Sequence, residues 1–357
     1  MFRYFKGSLV FTLICLALAV AYGWSRFGTV SGTLELVWIV VVLSILEISL
    51  SFDNAVVNAI VLKNMSEIWQ RRFLTWGMLF AVFGMRIAFP LIIVAVAAGL
   101  GPIEAIGLSL NQPQQYEAVV SSAHVGIAGF GGAFLALVGM RFFFDQEKDV
   151  HWIHWIEVQL SAVSTIRSVE IAVLLLSLYG ISLSLESHEA LVFLVAGILG
   201  TVTFIAVEAV GTLLEIHEAK QAAAGIVVRS GLGGFLYLNV LDASFSFDGV
   251  IGAFALSNNM VIIALGLSIG AMFVRSMTIM LVQRGTLDHY RFLEHGAFWA
   301  IIALAAIMLA SARYAIPETF TGLIGATLIV ASLAWSVRYR NNHGSAPDAE
   351  PGASGGD

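Results

Sequence analysis

The sequence contains few charged residues, few prolines and a single cysteine. Only 12% of its 357 residues are charged, against about 25% in soluble domains, and the mean hydropathy is +0.88. This composition predicts a polytopic membrane protein. One cysteine, Cys15, can form neither a disulfide framework nor a thiolate metal site. No basic patch accompanies the net charge of −6, so nucleic acid is not expected as a partner.

Ten apolar runs come close to the roughly 20 residues that a membrane-spanning helix needs. They are continuously apolar rather than alternating, which favours helices. The runs cover residues 8–24, 35–62, 73–99, 125–144, 168–185, 190–213, 231–256, 260–282, 297–312 and 319–337. The predicted fold class is therefore all-α, with about ten transmembrane helices, or nine if the first is cleaved. Arg3, Lys6 and Ala19-Val20-Ala21 fit a signal peptide, but a retained helix is favoured.

The basic residues predict the orientation of the chain through the positive-inside rule. With a cytoplasmic N-terminus, fourteen of the 18 Lys and Arg residues fall inside, and only Arg26 and Arg313 fall outside. Arg86 and Arg275 lie within apolar runs, and the predicted external loop 100–124 contains no Lys or Arg. Both termini are therefore expected in the cytoplasm, and the bacterial inner membrane is the expected location.

Two similar acidic motifs lie inside apolar sequence, and Asp242 follows Glu47 by 195 positions. Ionised groups in membrane helices are costly and are candidates for function. A duplicated acidic segment is typical of transporters built from two related halves, with the site where the halves meet. The opposing interpretation, that these acids only satisfy nearby arginines and serines, is weaker for a duplicated motif than for a single acid. The motifs read Glu47-Ile48-Ser49-Leu50-Ser51-Phe52-Asp53-Asn54 and Asp242-Ala243-Ser244-Phe245-Ser246-Phe247-Asp248-Gly249.

The two halves are predicted to form an inverted repeat, because an odd number of crossings separates the motifs. Each acidic run is followed by a run with one arginine, Arg86 or Arg275, nine positions after a glycine. The expected organisation is an N-terminal helix or signal anchor (1–34) before a transport domain (35–340). Within that domain, repeat 1 covers about 35–144, linker helices 168–213, and repeat 2 about 231–312. The tail 341–357 is predicted to be disordered because its composition leaves it nothing to bury.

The spacing of the acids leaves the local geometry open. On a straight helix Glu47, Ser51, Asn54 and Asn58 share one face, whereas Asp53 lies about 120° from Glu47. Either the helices unwind near Ser49–Ser51 and Ser244–Ser246, or one acid of each motif binds an ion while the other pairs with an arginine. We favour a mixture of the two. Close helix contacts are also expected at Gly129–Gly132 and at Gly266 and Gly270.

The balance of buried charge favours a cation as ligand. Four acids face two arginines, which leaves about two negative charges for one divalent cation or for protons. The available donors are carboxylate, amide, hydroxyl and carbonyl oxygens, which suit Mg²⁺, Ca²⁺ or Mn²⁺.

At the two Ser-Phe-Asp motifs the chain resembles the TerC-like integral membrane proteins, a family associated with tellurium resistance and manganese export. The resemblance covers roughly residues 35–340. It implies a divalent-cation exporter of the wider lysine-exporter-like fold, with metal ligands at Glu47, Asp53, Asn54, Asp242 and Asp248. The second motif departs from the first, with Asp242 in the place of Glu47 and Gly249 in the place of Asn54. These departures leave the identity of the metal open.

We therefore expect a secondary transporter that exports a divalent cation, with manganese as the first candidate. The metal is the transported substrate, no permanent cofactor is expected, and Ser51, Ser246, Arg86 and Arg275 support the carboxylates. The sequence contains no nucleotide-binding loop, and we expect no enzymatic activity. Two alternatives stay open: a transporter of another ion, and a tellurite- or stress-resistance scaffold that recruits soluble stress-response partners. Residues 145–167 are predicted to form a solvated interfacial linker rather than a metal sensor.

Overall fold

The computed structural model describes residues 2–77, 80–145, 150–163, 168–223, 231–254, 256–257, 259–285, 290–314 and 316–343. Within these ranges the chain forms α-helices and two π-helical segments, without a β-strand. Seven of these helices are long and apolar enough to cross a membrane: Arg3–Phe27, Val30–Leu50, His124–Phe143, Ser187–Leu214, Met260–Gln283, Leu293–Ser311 and Phe320–Asn342. Shorter apolar helices at Arg86–Ala95, Val169–Ser182 and Leu232–Phe245 account for the remaining predicted runs. The predicted fold class, an all-α polytopic membrane protein, is confirmed.

The second apolar run is divided into two helices at Ser51. Helix α1 covers Phe2–Phe27, α2 covers Val30–Leu50 and α3 covers Phe52–Lys63. Between α2 and α3, Ser51 adopts a non-helical conformation (φ −99°, ψ 18°). The unwinding predicted near Ser49–Ser51 is therefore present, and it is limited to one residue. It also turns the start of α3 into a helix N-terminus inside the membrane segment.

The third run contains the two π-helical segments, which the sequence analysis did not predict. After the short helix α4 (Glu67–Arg72), residues Phe73–Gly77 and Phe80–Ala88 form wide π turns, and α5 (Phe89–Ala98) follows. We refer to the two stretches Phe73–Gly77 and Phe80–Ala88 together as the π segment. Such segments are uncommon and often occur at functional sites. Here the π segment carries Arg86 in its last turn.

The segment 100–124, predicted as an external loop, contains two short helices. Helix α6 covers Pro102–Asn111 and α7 covers Pro113–Ser122. Both start with proline, whose fixed φ and missing N–H suit the first helical position. Tyr116 and Val120 are completely buried, because α7 packs on α5 and α6. An apolar face, which the loop prediction ignored, gives this segment its structure.

The remaining helices of the two proposed repeats contact each other crosswise. Their bounds are α8 His124–Phe143, α9 His154–Val163, α10 Val169–Ser182, α11 Ser187–Ala223, α12 Leu232–Phe254, α13 Met260–Gln283, α14 Leu293–Ser311 and α15 Glu318–His343. Helices α2 and α3 pack on α13, α12 packs on the π segment, and α8 packs on α14. The first helix of each proposed repeat thus contacts the second element of the other repeat, and the third helices contact each other.

Helix α12 runs without a break through the second acidic motif. The predicted unwinding near Ser244–Ser246 is therefore wrong. The hydroxyl of Ser244 donates to the carbonyl of Val240 (3.1 Å), so the helix accommodates this polar side chain without opening. The two motifs consequently differ in backbone conformation as well as in sequence.

Glycines allow the closest helix contacts, as the sequence predicted. A Cβ on Gly266 would lie 2.6 Å from the Cβ of Leu43, and one on Gly270 would overlap Glu47. On α8, a Cβ on Gly129 would lie 2.7 Å from the carbonyl oxygen of Phe193. Helices α13 and α2, and likewise α8 and α11, can approach this closely only where no side chain intervenes.

The described part of the 145–167 segment is folded. The prediction of a solvated linker was wrong for Glu157, the acid at the centre of this segment. Glu157 is only 2% exposed. Its carboxylate accepts hydrogen bonds from the backbone N–H groups of Trp152 (3.0 Å) and Ile153 (3.1 Å) and from Trp299 Nε1 (2.9 Å). Because Trp299 belongs to α14, Glu157 ties α9 and the preceding turn to that helix.

Candidate cation-binding site

The last turn of α2 positions Glu47, the first acid of the first motif. Its carboxylate accepts a hydrogen bond from Ser51 Oγ (2.8 Å), one turn further along the chain, and forms an ion pair with Arg86. The Glu47 and Arg86 side chains are only 2% and 5% exposed. The pairing of this acid with an arginine agrees with one of the two geometries that the sequence left open.

Asp53 and Asn54 lie in the first turn of α3, directly after the break. Asp53 Oδ1 accepts the backbone N–H of Asn54 (2.8 Å), and both residues are 7% exposed. A negative charge is favoured at a helix N-terminus, where backbone N–H groups are left without intrahelical acceptors. The break at Ser51 therefore creates the local environment in which the Asp53 carboxylate is held.

Asp242 of the second motif contacts the first half of the protein directly. Its Oδ1 accepts a hydrogen bond from Asn58 Nδ2 (2.8 Å) across the boundary between α12 and α3. Asn54 and Arg86 are also close enough to interact with this carboxylate. Asn58, one turn after Asn54 on the polar stripe, is thus part of the site although it was not among the predicted ligands. Its spacing in the stripe was the signal that could have identified it.

Two buried amide oxygens in this cluster have no hydrogen-bond partner. They are Asn54 Oδ1 and Asn58 Oδ1, on side chains that are at least nine-tenths buried. The Asn58 amide is oriented by its donor bond to Asp242, so its oxygen faces elsewhere. Because buried acceptors nearly always have a partner, these two oxygens are suited to accept a cation or a water.

The two motifs enclose a small cavity of about 40 Å³. It is lined by Glu47, Leu50, Ser51, Asp53, Asn54, Phe245, Gly249, Leu304, Thr321 and Gly322. A Cβ on Gly249 would lie 2.7 Å from Glu47 Oε2. This contact gives a physical reason for glycine at the position where the first motif has Asn54, because any side chain would displace the Glu47 carboxylate.

Arg275 contacts the backbone of the π segment. Its Nε donates to the carbonyl oxygen of Leu74 in the π segment (2.8 Å), and it forms no ion pair with any carboxylate whose side chain is described. The side chains of Ser246 and Asp248 lie outside the described part of the structure, although their backbone belongs to α12. Of the five predicted ligands, Glu47, Asp53, Asn54 and Asp242 lie in one region.

The described residues contain no group of three or more His, Cys, Asp or Glu side chains arranged to hold a metal ion. The carboxylates are instead interleaved with amides and with one arginine. Glu47 is already paired with Arg86, which leaves Asp53, Asp242 and the two asparagine oxygens as the donors available to a cation. This donor set is made entirely of oxygen and is therefore chemically hard.

The fold and the buried polar cluster define the chain as an all-α polytopic membrane protein with carboxylates enclosed between two helix sets. Residues 52–343 match the family described as "Protein of unknown function (DUF475)", and the chain belongs to that family. The match includes both Asp53 and the whole second motif. No curated protein and no solved structure matches the chain.

Proposed function

We propose that the protein is a secondary transporter that exports a divalent cation, with manganese as the first candidate. The observation that carries this proposal is the enclosed contact between the two acidic motifs. Glu47 of the first lies against Gly249 of the second, and Asp242 of the second binds Asn58, one turn beyond the first. A site at the junction of two related halves is the arrangement that alternating access requires.

The charge of the cluster supports a cation rather than an oxyanion as cargo. Glu47, Asp53 and Asp242 are buried, and Arg86 compensates only one of these three carboxylates when all are ionised. Two unpartnered amide oxygens add further acceptors. An anion such as tellurite would meet carboxylates at this site, and Arg86 is already engaged by Glu47.

The donor chemistry supports manganese over softer metals. Carboxylate and amide oxygens suit Mg²⁺, Ca²⁺ and Mn²⁺, and the resemblance to TerC-like proteins favours manganese among them. Export is the direction that the resemblance to TerC-like proteins implies. A gradient of protons or the membrane potential would drive the cycle, since the sequence offers no nucleotide-binding loop.

Transport by the purified protein tests this proposal. We expect proteoliposomes that contain it to accumulate Mn²⁺, measured by quenching of an enclosed metal-sensitive dye. Asp53→Asn and Asp242→Asn each remove one carboxylate charge and should reduce the initial rate by at least roughly tenfold, as expected for a lost charged ligand. Glu186→Gln, an exposed acid between α10 and α11, is the matched control and should transport normally.

Two outcomes would contradict the proposal. Normal transport by both aspartate variants would show that these carboxylates do not form the transport site. Mn²⁺ accumulation no faster than in protein-free liposomes would show that the protein does not transport Mn²⁺.

A growth test separates the remaining alternatives. Cells that lack the protein should become sensitive to manganese, and the two aspartate variants should fail to protect them. Protection by both variants, together with its loss when residues 344–357 are deleted, would instead indicate a scaffold that recruits soluble partners.

A further inference from the structure

A second, larger cavity shares helices α12 and α14 with the candidate site. Its volume is about 530 Å³. Four helices supply its walls: α8 through Val138, Arg141 and Phe142, with Phe144 and Asp145 directly after it, α11 through Phe204 and Glu208, α12 through Tyr237, and α14 through Phe298. Arg141 and Glu208, with side chains 61% and 41% exposed, form its open side. The cavity is therefore accessible from outside the protein, unlike the enclosed space between the acidic motifs.

The direction of the four helices places this cavity on one side of the membrane. Arg141 is in the last turn of α8, and Glu208 is in the second half of α11. Tyr237 and Phe298 are each the sixth residue of their helices, α12 and α14. The end of α8 and the second half of α11 thus lie beside the first two turns of α12 and α14. The positive-inside rule assigns this side to the cytoplasm, which is the side from which an exporter takes its substrate.

The two cavities are offset in the same direction along α12 and α14. On α12, Tyr237 lines the large cavity, whereas Phe245 and Gly249 line the small one. On α14, Phe298 lines the large cavity and Leu304 the small one. At 1.5 Å per residue, Tyr237 and Gly249 are separated by about 18 Å along the axis. Asp242, with its hydrogen bond to Asn58, lies between these two residues along α12.

The sizes of the two cavities suit different states of hydration. A cation with six waters needs about 180 Å³ for the waters alone, at roughly 30 Å³ per molecule. The large cavity of about 530 Å³ can hold such a hydrated ion. The small cavity of about 40 Å³ cannot, so an ion in it must have lost at least part of that water shell. The boundary at Asp242, Asn54 and Asn58, with its unpartnered amide oxygens, is therefore where water must be exchanged for protein ligands.

The charges at the open side of the large cavity suit the capture of a hydrated cation. Arg141 Nε donates to Glu208 Oε1 at 2.9 Å, and Arg141 Nη1 lies 3.8 Å from Glu170 Oε1. Glu208 is also near enough to Tyr237 for the two to interact electrostatically. Because Arg141 is well exposed, it can leave Glu208 with little cost when another cation approaches.

We propose that this cavity is the cytoplasmic vestibule of the transporter, through which a hydrated divalent cation reaches Asp242. Arg141 is the internal cation that occupies Glu208 until the ion displaces it. The inference rests on the proposed function for the identity of the ion. The existence, side and charge of the vestibule do not depend on that function and can be measured without transport.

Thiol labelling tests the vestibule directly, because Cys15 is the only cysteine of the chain. In a Cys15→Ser background, Tyr237→Cys places a thiol in the cavity wall, and Leu238→Cys, fully buried on the same helix, is the matched control. We expect a membrane-impermeant trimethylammonium methanethiosulfonate to modify Tyr237→Cys in inside-out vesicles, and much more slowly in right-side-out vesicles. Leu238→Cys should react slowly in both. Complete labelling in SDS verifies that each thiol is present.

The charge of the vestibule is read from the ratio of modification rates by cationic and neutral reagents at Tyr237→Cys. Arg141→Gln should raise this ratio and Glu208→Gln should lower it, by up to roughly tenfold, because charged walls concentrate or exclude ions. Phe245→Cys, in the small cavity, should stay slow in both vesicle orientations. If Tyr237→Cys is unstable, Glu208→Cys with the same sidedness test replaces it, and Arg141→Gln supplies the charge test.

The outcomes separate this inference from the proposed function. Labelling of Tyr237→Cys from the cytoplasmic side only, with the expected charge dependence but without Mn²⁺ transport, would support the vestibule. It would contradict the proposal that Mn²⁺ is the transported ion. Normal Mn²⁺ transport with Tyr237→Cys labelled no faster than Leu238→Cys would overturn the vestibule and retain the function. Equal labelling from both sides would also overturn it, since the cavity would then not be restricted to one face.

Discussion

At the scale of single residues, the polar contacts divide the acids into a compensated one and two that remain available. Glu47 is held by Arg86 and Ser51, whereas Asp53 and Asp242 are held by a backbone N–H and an asparagine amide. The sequence analysis could predict the acids because charge inside apolar runs is conspicuous. It could not predict which acid takes the arginine, because that depends on the rotation of the π segment.

The buried ion pair should be sensitive to the loss of one partner. Arg86→Gln leaves the Glu47 charge uncompensated in the protein interior, and we expect about 3–5 kcal/mol less stability. Adding Glu47→Gln removes that charge, so the double variant should recover most of the loss while remaining inactive in Mn²⁺ transport. Denaturant unfolding of the purified protein in detergent measures both effects.

The exposed pair of Arg141 and Glu208 provides the comparison. Arg141→Gln should cost no more than about 1 kcal/mol, since solvent screens pairs of this kind. Equal losses for Arg86→Gln and Arg141→Gln would mean that the Glu47–Arg86 contact does not stabilise the protein.

At the scale of helices, two glycines bring different elements against Glu47 with different consequences. A Cβ on Gly249 of α12 would meet the end of the Glu47 side chain, Oε2, at 2.7 Å. A Cβ on Gly270 of α13 would overlap Glu47 Cβ and Cγ and lie 3.1 Å from the Ser44 carbonyl oxygen. The first contact can be relieved by moving a carboxylate, whereas the second requires α13 and α2 to separate.

Alanine substitutions should therefore separate function from stability. We expect Gly249→Ala to fold normally but to bind and transport Mn²⁺ poorly, because the carboxylate leaves its position beside Arg86. Gly270→Ala should lose about 1–3 kcal/mol of stability through overpacking. Thermal unfolding in detergent and Mn²⁺ transport measure the two effects.

Gly180 is the matched control, because a Cβ there would meet nothing within 4 Å. Gly180→Ala should be neutral or slightly stabilising in its helix. A Gly249→Ala variant with normal transport would show that the Glu47 carboxylate can move without harm.

The helices also show where prediction from sequence reached its limit. The apolar runs located the membrane helices, and the glycine spacing located close contacts, because both depend on local pattern. The sequence could not show that the first motif breaks its helix at Ser51 while the second leaves α12 continuous, because both motifs contain serines at equivalent positions. The π segment and the helices α6 and α7 were missed, because their formation depends on contacts with distant elements rather than on periodicity alone.

At the scale of the whole molecule, the number of crossings decides the side on which the chain ends. Seven helices are long enough to span by themselves, which would place the termini on opposite sides. Counting the three shorter apolar helices gives ten crossings and places both termini on the same side. The exchanged contacts of α2 and α3 with α13, of α12 with the π segment, and of α8 with α14 favour ten.

Reporter fusions test this count. We expect green fluorescent protein fused at either terminus to fluoresce, and alkaline phosphatase fused there to be inactive, because both termini are predicted to lie in the cytoplasm. Alkaline phosphatase inserted at Gln112, between α6 and α7, should be active on the outer side. Termini on opposite sides of the membrane would contradict the ten-helix topology and with it the inverted repeat.

The smallness of the chamber beside Asp53 has a consequence for discrimination among metals of equal charge. An ion carried through a space of about 40 Å³ must surrender part of its coordinated solvent on the way. Magnesium releases water reluctantly and demands near-ideal octahedral geometry, which carboxylates and amides at a helix break do not offer. Selection against magnesium can thus arise from the energetic barrier to stripping its shell, without any sulfur or nitrogen ligand.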